Sequence, residues 1–98
     1  MKTILTLALF VSGATLATAA WGKDDPAAGA KLYATNCAAC HGADRAGIPG
    51  AFPALTDVAK RLQPAQIKEK ISKGGGLMPP FPQLSPQEID DIASYLAH

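Results

Sequence analysis

Two cysteines three residues apart, with a histidine directly after the second, constrain this chain more than anything else in it: Cys37-Ala38-Ala39-Cys40-His41. No other cysteine occurs in its 98 residues. A redox-active dithiol would follow a strand in a βαβ unit, whereas the residues ahead of Cys37 read as a helix and no alternating strand pattern appears anywhere. A zinc ion needs four ligands. Beyond the two thiols the chain supplies only His41, adjacent to Cys40, and the terminal His98. A disulfide across two residues closes too small a loop to staple a domain. The reading that remains is C-x-x-C-H as a c-type haem attachment, in which each thiol adds to one vinyl group of a single haem and the adjoining imidazole reaches the iron.

The beginning of the chain decides how much of it is left to fold. Lys2 is followed by an apolar stretch from Ile4 to Val11, broken only by Thr6, and by Ala17-Thr18-Ala19 in the A-x-A form of a cleavage site. Residues 1–19 therefore read as a secretory signal peptide, cut after Ala19 or, as second choice, Ala20. The apolar core is about half the roughly 20 residues a spanning helix needs. No stable membrane insertion is expected after cleavage, and no cysteine near the cut is placed for lipidation. Residues 20–98 are then one exported domain of about 79 residues, expected in the periplasm. A domain of that size buries too little apolar surface to be comfortably stable alone and usually recruits disulfides, a metal or a cofactor.

Hydrophobic residues at 48%, charged residues at 17% and a net charge of +1 describe an ordinary globular chain and argue against nucleic acid as a partner. Loss of Lys2 leaves eight basic side chains against eight acidic ones, so long-range steering should be modest.

Local signals along the remaining chain are helical. Asp24, Asp25 and Pro26 supply capping carboxylates and a first-turn proline for a helix to about Cys37. The glycines and prolines between Gly42 and Pro53 demand a loop. A short helix fits Thr56 to Leu62, and another begins at Pro64 with Ile67 and Ile71 on one face and ends at Gly74. A Gly and Pro loop from Gly75 to Gln83 surrounds Leu77, Met78 and Phe81. Ser85-Pro86-Gln87-Glu88 then forms a capping box, with Leu84 and Ile89 as its hydrophobic staple. The last helix presents Ile89, Ile92, Ala93 and Leu96, with Tyr95 on the margin. The class is all-α, about four helices around one covalently bound haem.

Elimination points to the second iron ligand. Met78 is the only methionine outside the signal, and it lies between Gly74-Gly75-Gly76 and Pro79-Pro80 in place of the helix face expected of a core methionine. Glycines on one side let backbone approach a flat cofactor, and prolines on the other hold the thioether in place. Both axial metal ligands, His41 and Met78, are then protein side chains.

Gly29 with Tyr33 four residues on, the run from Cys37 to Gly42, the Pro53-Ala54-Leu55 step, Leu77-Met78-Pro79 and the closing Ser94-Tyr95-Leu96 together resemble a class I c-type cytochrome. The likeness is to the short bacterial periplasmic monohaem type and covers nearly all of residues 20–98. The resemblance implies His41 as proximal and Met78 as distal ligand, and first and last helices crossing where Gly29 lets Tyr33 meet Ile92 and Tyr95. It also implies a proline carbonyl accepting from the ligand imidazole. Pro53 is the choice and Pro49 the alternative. A tryptophan partner for a haem propionate is missing, since Trp21 is the only tryptophan; Arg45, Lys60 and Arg61 are weak substitutes.

The chemistry expected is reversible one-electron transfer between donor and acceptor proteins, not catalysis. Leu55, Leu62, Ile67, Ile71, Leu77 and Phe81 form the low-dielectric wall. A monomer is expected, with redox proteins as its partners. The alternatives are a dissociable haem c subunit of a larger oxidoreductase complex and a peroxidase or gas sensor in which Met78 dissociates. Lys60, Arg61, Lys68, Lys70 and Lys73 ahead of the Met78 loop, against Asp24, Asp25, Glu88, Asp90 and Asp91 in the end helices, suggest a charge dipole that orients an acidic partner. The competing reading keeps Lys68 and Lys70 on a solvent face. His98, at a terminus that frays, is expected to be solvated.

Overall fold

The computed structural model describes residues 24–98; the expected signal peptide, its cleavage site and Trp21 lie outside the described residues. Five helices follow one another: α1 (Pro26–Asn36), α2 (Ala38–His41), α3 (Val58–Arg61), α4 (Pro64–Lys73) and α5 (Pro86–Leu96). Among the described residues there is no strand, only two isolated bridges, Ile48 with Phe52 and Gly75 with Met78. The helix beyond the expected four is α2, a single turn that carries the end of the cysteine motif.

Asp25 caps α1, its carboxylate accepting from the Ala27 and Ala28 amides at 2.9 and 3.2 Å, with Pro26 in the first turn where a missing N–H costs nothing. The helix stops one residue short of the expected Cys37. Asn36 Nδ2 donates to the Leu32 carbonyl at 2.9 Å, and Cys37 becomes the shared cap between α1 and α2. The capping box of α5 has both halves, Ser85 N–H to Glu88 Oε1 at 2.9 Å and Glu88 N–H to Ser85 Oγ at 3.1 Å. Leu84 and Ile89 on its flanks both join the core.

Only Val58–Arg61 of the helix expected over Thr56 to Leu62 forms. Leu62 is already extended, and Gln63, restricted by the proline after it, is extended as well and starts α4.

Helices α1 and α5 pack against each other at Gly29. A methyl group there would collide with the Asp91 carbonyl and approach Tyr95 Cβ to 2.9 Å, so glycine is what allows the two backbones to meet. The crossing implied at Gly29 is present, with the Asp91 main chain and Tyr95 directly across from it. Tyr33 and Tyr95 lie beside this crossing with ring centroids 5.4 Å apart. Asp91, itself buried, accepts the Asp25 amide at 2.9 Å and the Gln87 side-chain amide at 2.8 Å, tying the start of α1 to α5. Tyr33 and Ile92 are the most deeply buried large side chains; full burial of one isoleucine is worth about 1.5–3 kcal/mol. With α4 laid against α5 through Ile67 and Ile71, the helices wall a space that their side chains do not fill.

Candidate functional site

His41 closes α2 and is buried. Its Nδ1 lies 2.9 Å from the Pro53 carbonyl oxygen. A carbonyl only accepts, so Nδ1 carries the proton and the lone pair is left on Nε2. Pro53, rather than Pro49, is therefore the proline facing this imidazole. The loop that delivers it is held by the Gly47 amide on the His41 carbonyl (2.7 Å) and the Leu55 amide on the Arg45 carbonyl (2.7 Å). Gly47, at φ 69°, passes so close that a side chain would lie 2.7 Å from the Pro53 carbonyl carbon. Tyr33 Oη donates to the Gly42 carbonyl at 2.6 Å and anchors the same turn from α1. Burial, then the neighbouring Cys37 and Tyr95, push this phenol up to about 12, so it remains a donor.

Met78 is set by a tight turn, with Gly75 N–H on the Met78 carbonyl at 2.9 Å and Met78 N–H on the Gly75 carbonyl at 3.0 Å. The Phe81 amide donates to the Ile71 carbonyl at 3.2 Å and ties the loop to α4. Within the glycine run, Gly75 lines the smaller cavity. Gly74, at φ 69°, packs on the chain's own backbone, where a side chain would sit 2.7 Å from the Pro79 carbonyl carbon.

Two cavities of about 390 and 350 Å³ meet along Cys37, His41, Pro53, Lys70 and Met78, which line both. Leu55, Leu62, Ile67 and Ile71 line the larger, while Cys40, Leu77 and Phe81 line the smaller. All eight expected site residues border this space, five of them buried or half-buried and Cys40, Pro53 and Leu77 exposed. Leu77 borders it at the mouth and is 79% exposed, so it is a rim residue instead of the low-dielectric wall assigned to it. Both thiols are free, Cys37 buried and Cys40 exposed. Burial, reinforced by Cys40, pushes the Cys37 thiol up to about 11, which makes it a neutral, weakly nucleophilic group in the folded chain. No carboxylate lines either cavity.

The cationic cluster is mostly neutralised. Arg61 pairs with Asp57 at 3.1 Å, Lys68 with Asp90 at 3.0 Å and Lys73 with Glu69 at 3.0 Å, leaving Lys60 and Lys70 without an acidic partner among the described residues. Lys70 is not on a purely solvent face, since it lines both cavities. His98 is exposed, with Nδ1 2.7 Å from the Ser94 carbonyl, and stands apart from the cavity lining.

A slot with a histidine, a methionine and two free thiols on a largely apolar lining has its counterpart among known proteins. Residues 24–96 match the family described as cytochrome c oxidase, cbb3-type, subunit III. The chain is 35% identical to cytochrome c6 of Picosynechococcus over 99% of its own length and 93% of that protein's. It is 37% identical to cytochrome c-550 of Bacillus subtilis over 76% of its length, spanning 60% of that relative. A solved structure of cytochrome c6 from the diatom Phaeodactylum tricornutum superposes with a TM-score of 0.61 at 30% identity, covering 74% of this chain and 91% of that one. The chain belongs to the class I c-type cytochromes. It is a small all-α haem c electron carrier, and its cofactor is covalently bound haem with iron.

Proposed function

We propose that residues 20–98 form a soluble periplasmic one-electron shuttle in which Cys37 and Cys40 hold the haem and His41 and Met78 ligate its iron. The observation that carries this reading is the position of His41 and Met78, both on the lining shared by the two cavities. When bound, the haem supplies an iron that changes charge by one electron without changing its ligands. Pro53 fixes the tautomer that leaves His41 Nε2 basic and raises its donor strength. Met78 offers a soft thioether, which favours the reduced metal and raises the potential. Ile67, Ile71 and Leu55 keep water from the slot and lower the local dielectric.

Two features support a carrier over an enzyme. With both His41 and Met78 on the iron no position would be left for peroxide, and the cavity lining holds no carboxylate that could serve as acid or base for it; catalysis of that kind needs a positioned proton donor. The visible spectrum of purified holoprotein tests the assignment. We expect a weak sulfur-to-iron band in the oxidised form that disappears in Met78→Ala, together with a lowered potential and rapid cyanide binding. Unchanged potential and cyanide kinetics in that variant would remove Met78 from the iron.

A second reading, a dissociable subunit of a larger oxidoreductase, is favoured by the matched family and by 41% identity to subunit CcoP of the cbb3-type oxidase of Rubrivivax gelatinosus, of which the chain spans 24%. Gel filtration of periplasmic extract separates the two. A shuttle elutes as a single chain of about 79 residues, and a subunit travels with a much larger complex.

A further inference from the structure

The larger cavity is apolar in its floor and polar along one edge. Val58, Ile67, Ile71, Ile92 and Leu96 make the floor, and Arg61, Gln66 and Lys70, all exposed, make the edge. The hydrogen bonds already made along that edge decide what it can still offer. Gln66 Oε1 is engaged by the Gln63 amide at 2.8 Å, so its side-chain NH2 is what remains. Arg61 spends Nε on Asp57 Oδ1 at 3.1 Å and one Nη2 hydrogen on the Ala54 carbonyl at 2.9 Å, leaving Nη1 without a partner among the described residues. Lys70 has no ion pair there, and its ammonium lies against Gly75. Every group left over is a donor, and two of the three residues are cations.

The other cations weighed from the sequence are elsewhere. The Arg45 guanidinium lies over the Tyr95 ring, 5.1 Å from its centroid, and donates to the His98 carbonyl at 3.2 Å. Neither Arg45 nor Lys60 lines the cavity.

We propose that Arg61 and Gln66, with Lys70 beside them, form the subsite for the carboxylate edge of the haem, its propionates. This rests on the reading of the cavity as the haem site. A planar apolar molecule with carboxylates on one edge matches an apolar floor with donors on one edge, because burying an ionised carboxylate without donors is costly. The two tethers hold the Arg61 fork through the protein's own groups, so contact with the propionates costs little further side-chain entropy. Arg61 and Gln66 are positioning residues. They set how the haem sits and keep its propionate ionised close to the iron, where that charge lowers the potential.

The test is the pH dependence of the reduction potential of purified holoprotein. The charged groups along this edge are Arg61, Lys70 and, one step behind, Asp57, and a cation beside a carboxyl keeps it ionised to lower pH. In Arg61→Gln the inflection marking propionate ionisation should move upward by about one pH unit or more, and Arg61→Lys should restore part of the shift. Gln66→Glu keeps the acceptor for the Gln63 amide but replaces the donor by a negative charge, so it should move the inflection the same way even if Arg61→Gln folds poorly. Lys60→Gln, adjacent in sequence and absent from the lining, should leave it where it is. An unmoved inflection in Arg61→Gln and Gln66→Glu, or an equal shift in Lys60→Gln, overturns the subsite. Haem staining of denatured protein separates the two levels: a parent chain without covalent haem sinks the haem reading itself, whereas haem retained with an unmoved inflection sinks only the propionate assignment.

Discussion

The His41 side and the Met78 side of the slot are built from the same device to different degrees of closure. Each has a glycine at φ 69° whose missing side chain lets a loop cross backbone, Gly47 at Pro53 and Gly74 at Pro79. On the first side the loop ends in a hydrogen bond to the functional ring itself, His41 Nδ1 with the Pro53 carbonyl, and a buried tyrosine anchors the turn. On the second, the bonds run from main chain to main chain around Met78, which is only half-buried. His41 is held through its own side chain, Met78 only through its backbone. The lesson is that the protein's own groups fix the histidine ring itself, whereas on the other side they fix only the main chain that carries the thioether.

The largest effect should come from removing each proposed ligand in turn. His41→Ala is expected to reduce the yield of holoprotein to background, and Met78→Ala to keep covalent haem with an open sixth position; haem staining and the visible spectrum distinguish them. Equal loss in both variants would erase the asymmetry. Replacing Cys37 and Cys40 together should leave no haem after acid-acetone extraction. The protein without its cofactor should be largely unfolded by circular dichroism, since so small a domain lacks a sufficient core of its own.

Gly47→Ala and Gly74→Ala sharpen the comparison within folded protein. Each forces a side chain against backbone at positive φ and should cost about 2–3 kcal/mol in denaturant unfolding of the holoprotein. Only Gly74→Ala should also weaken the sulfur-to-iron band, because only its loop carries Met78. A smaller effect follows from the tyrosine anchor. Tyr33→Phe leaves the Gly42 carbonyl without its donor, at about 1–2 kcal/mol. The phenol is raised from an ordinary 10.0 to about 12 in the fold, so its contribution is complete below pH 10 and is lost as pH rises through about 12. Stability of Tyr33→Phe should consequently fall less steeply across that window. Smallest of all, Lys73→Gln breaks an exposed pair with Glu69 within α4 and should change stability by less than about 0.5 kcal/mol.

Helix starts and stops were legible in the residues because each depends on partners within three or four positions: Asp25 with the Ala27 and Ala28 amides, Ser85 with Glu88, Gly74 at the end of α4. The attachment motif is local in the same sense, its thiols and imidazole being spaced by the chain itself. What the residues left open were choices among equivalent groups far apart in sequence. Pro49 and Pro53 look alike until the loop closes on His41, twelve residues away from the second of them. Arg45 and Arg61 look alike until one is drawn over Tyr95 and the other, tethered to Asp57 and Ala54, is left at the cavity edge. Lys68 reads as a free cation until α4 meets α5 and Asp90 comes within 3.0 Å. Hydrogen bonds and ion pairs act only over a few ångströms, and when the partners are many residues apart, the packing of α1, α4 and α5 decides which of them come that close.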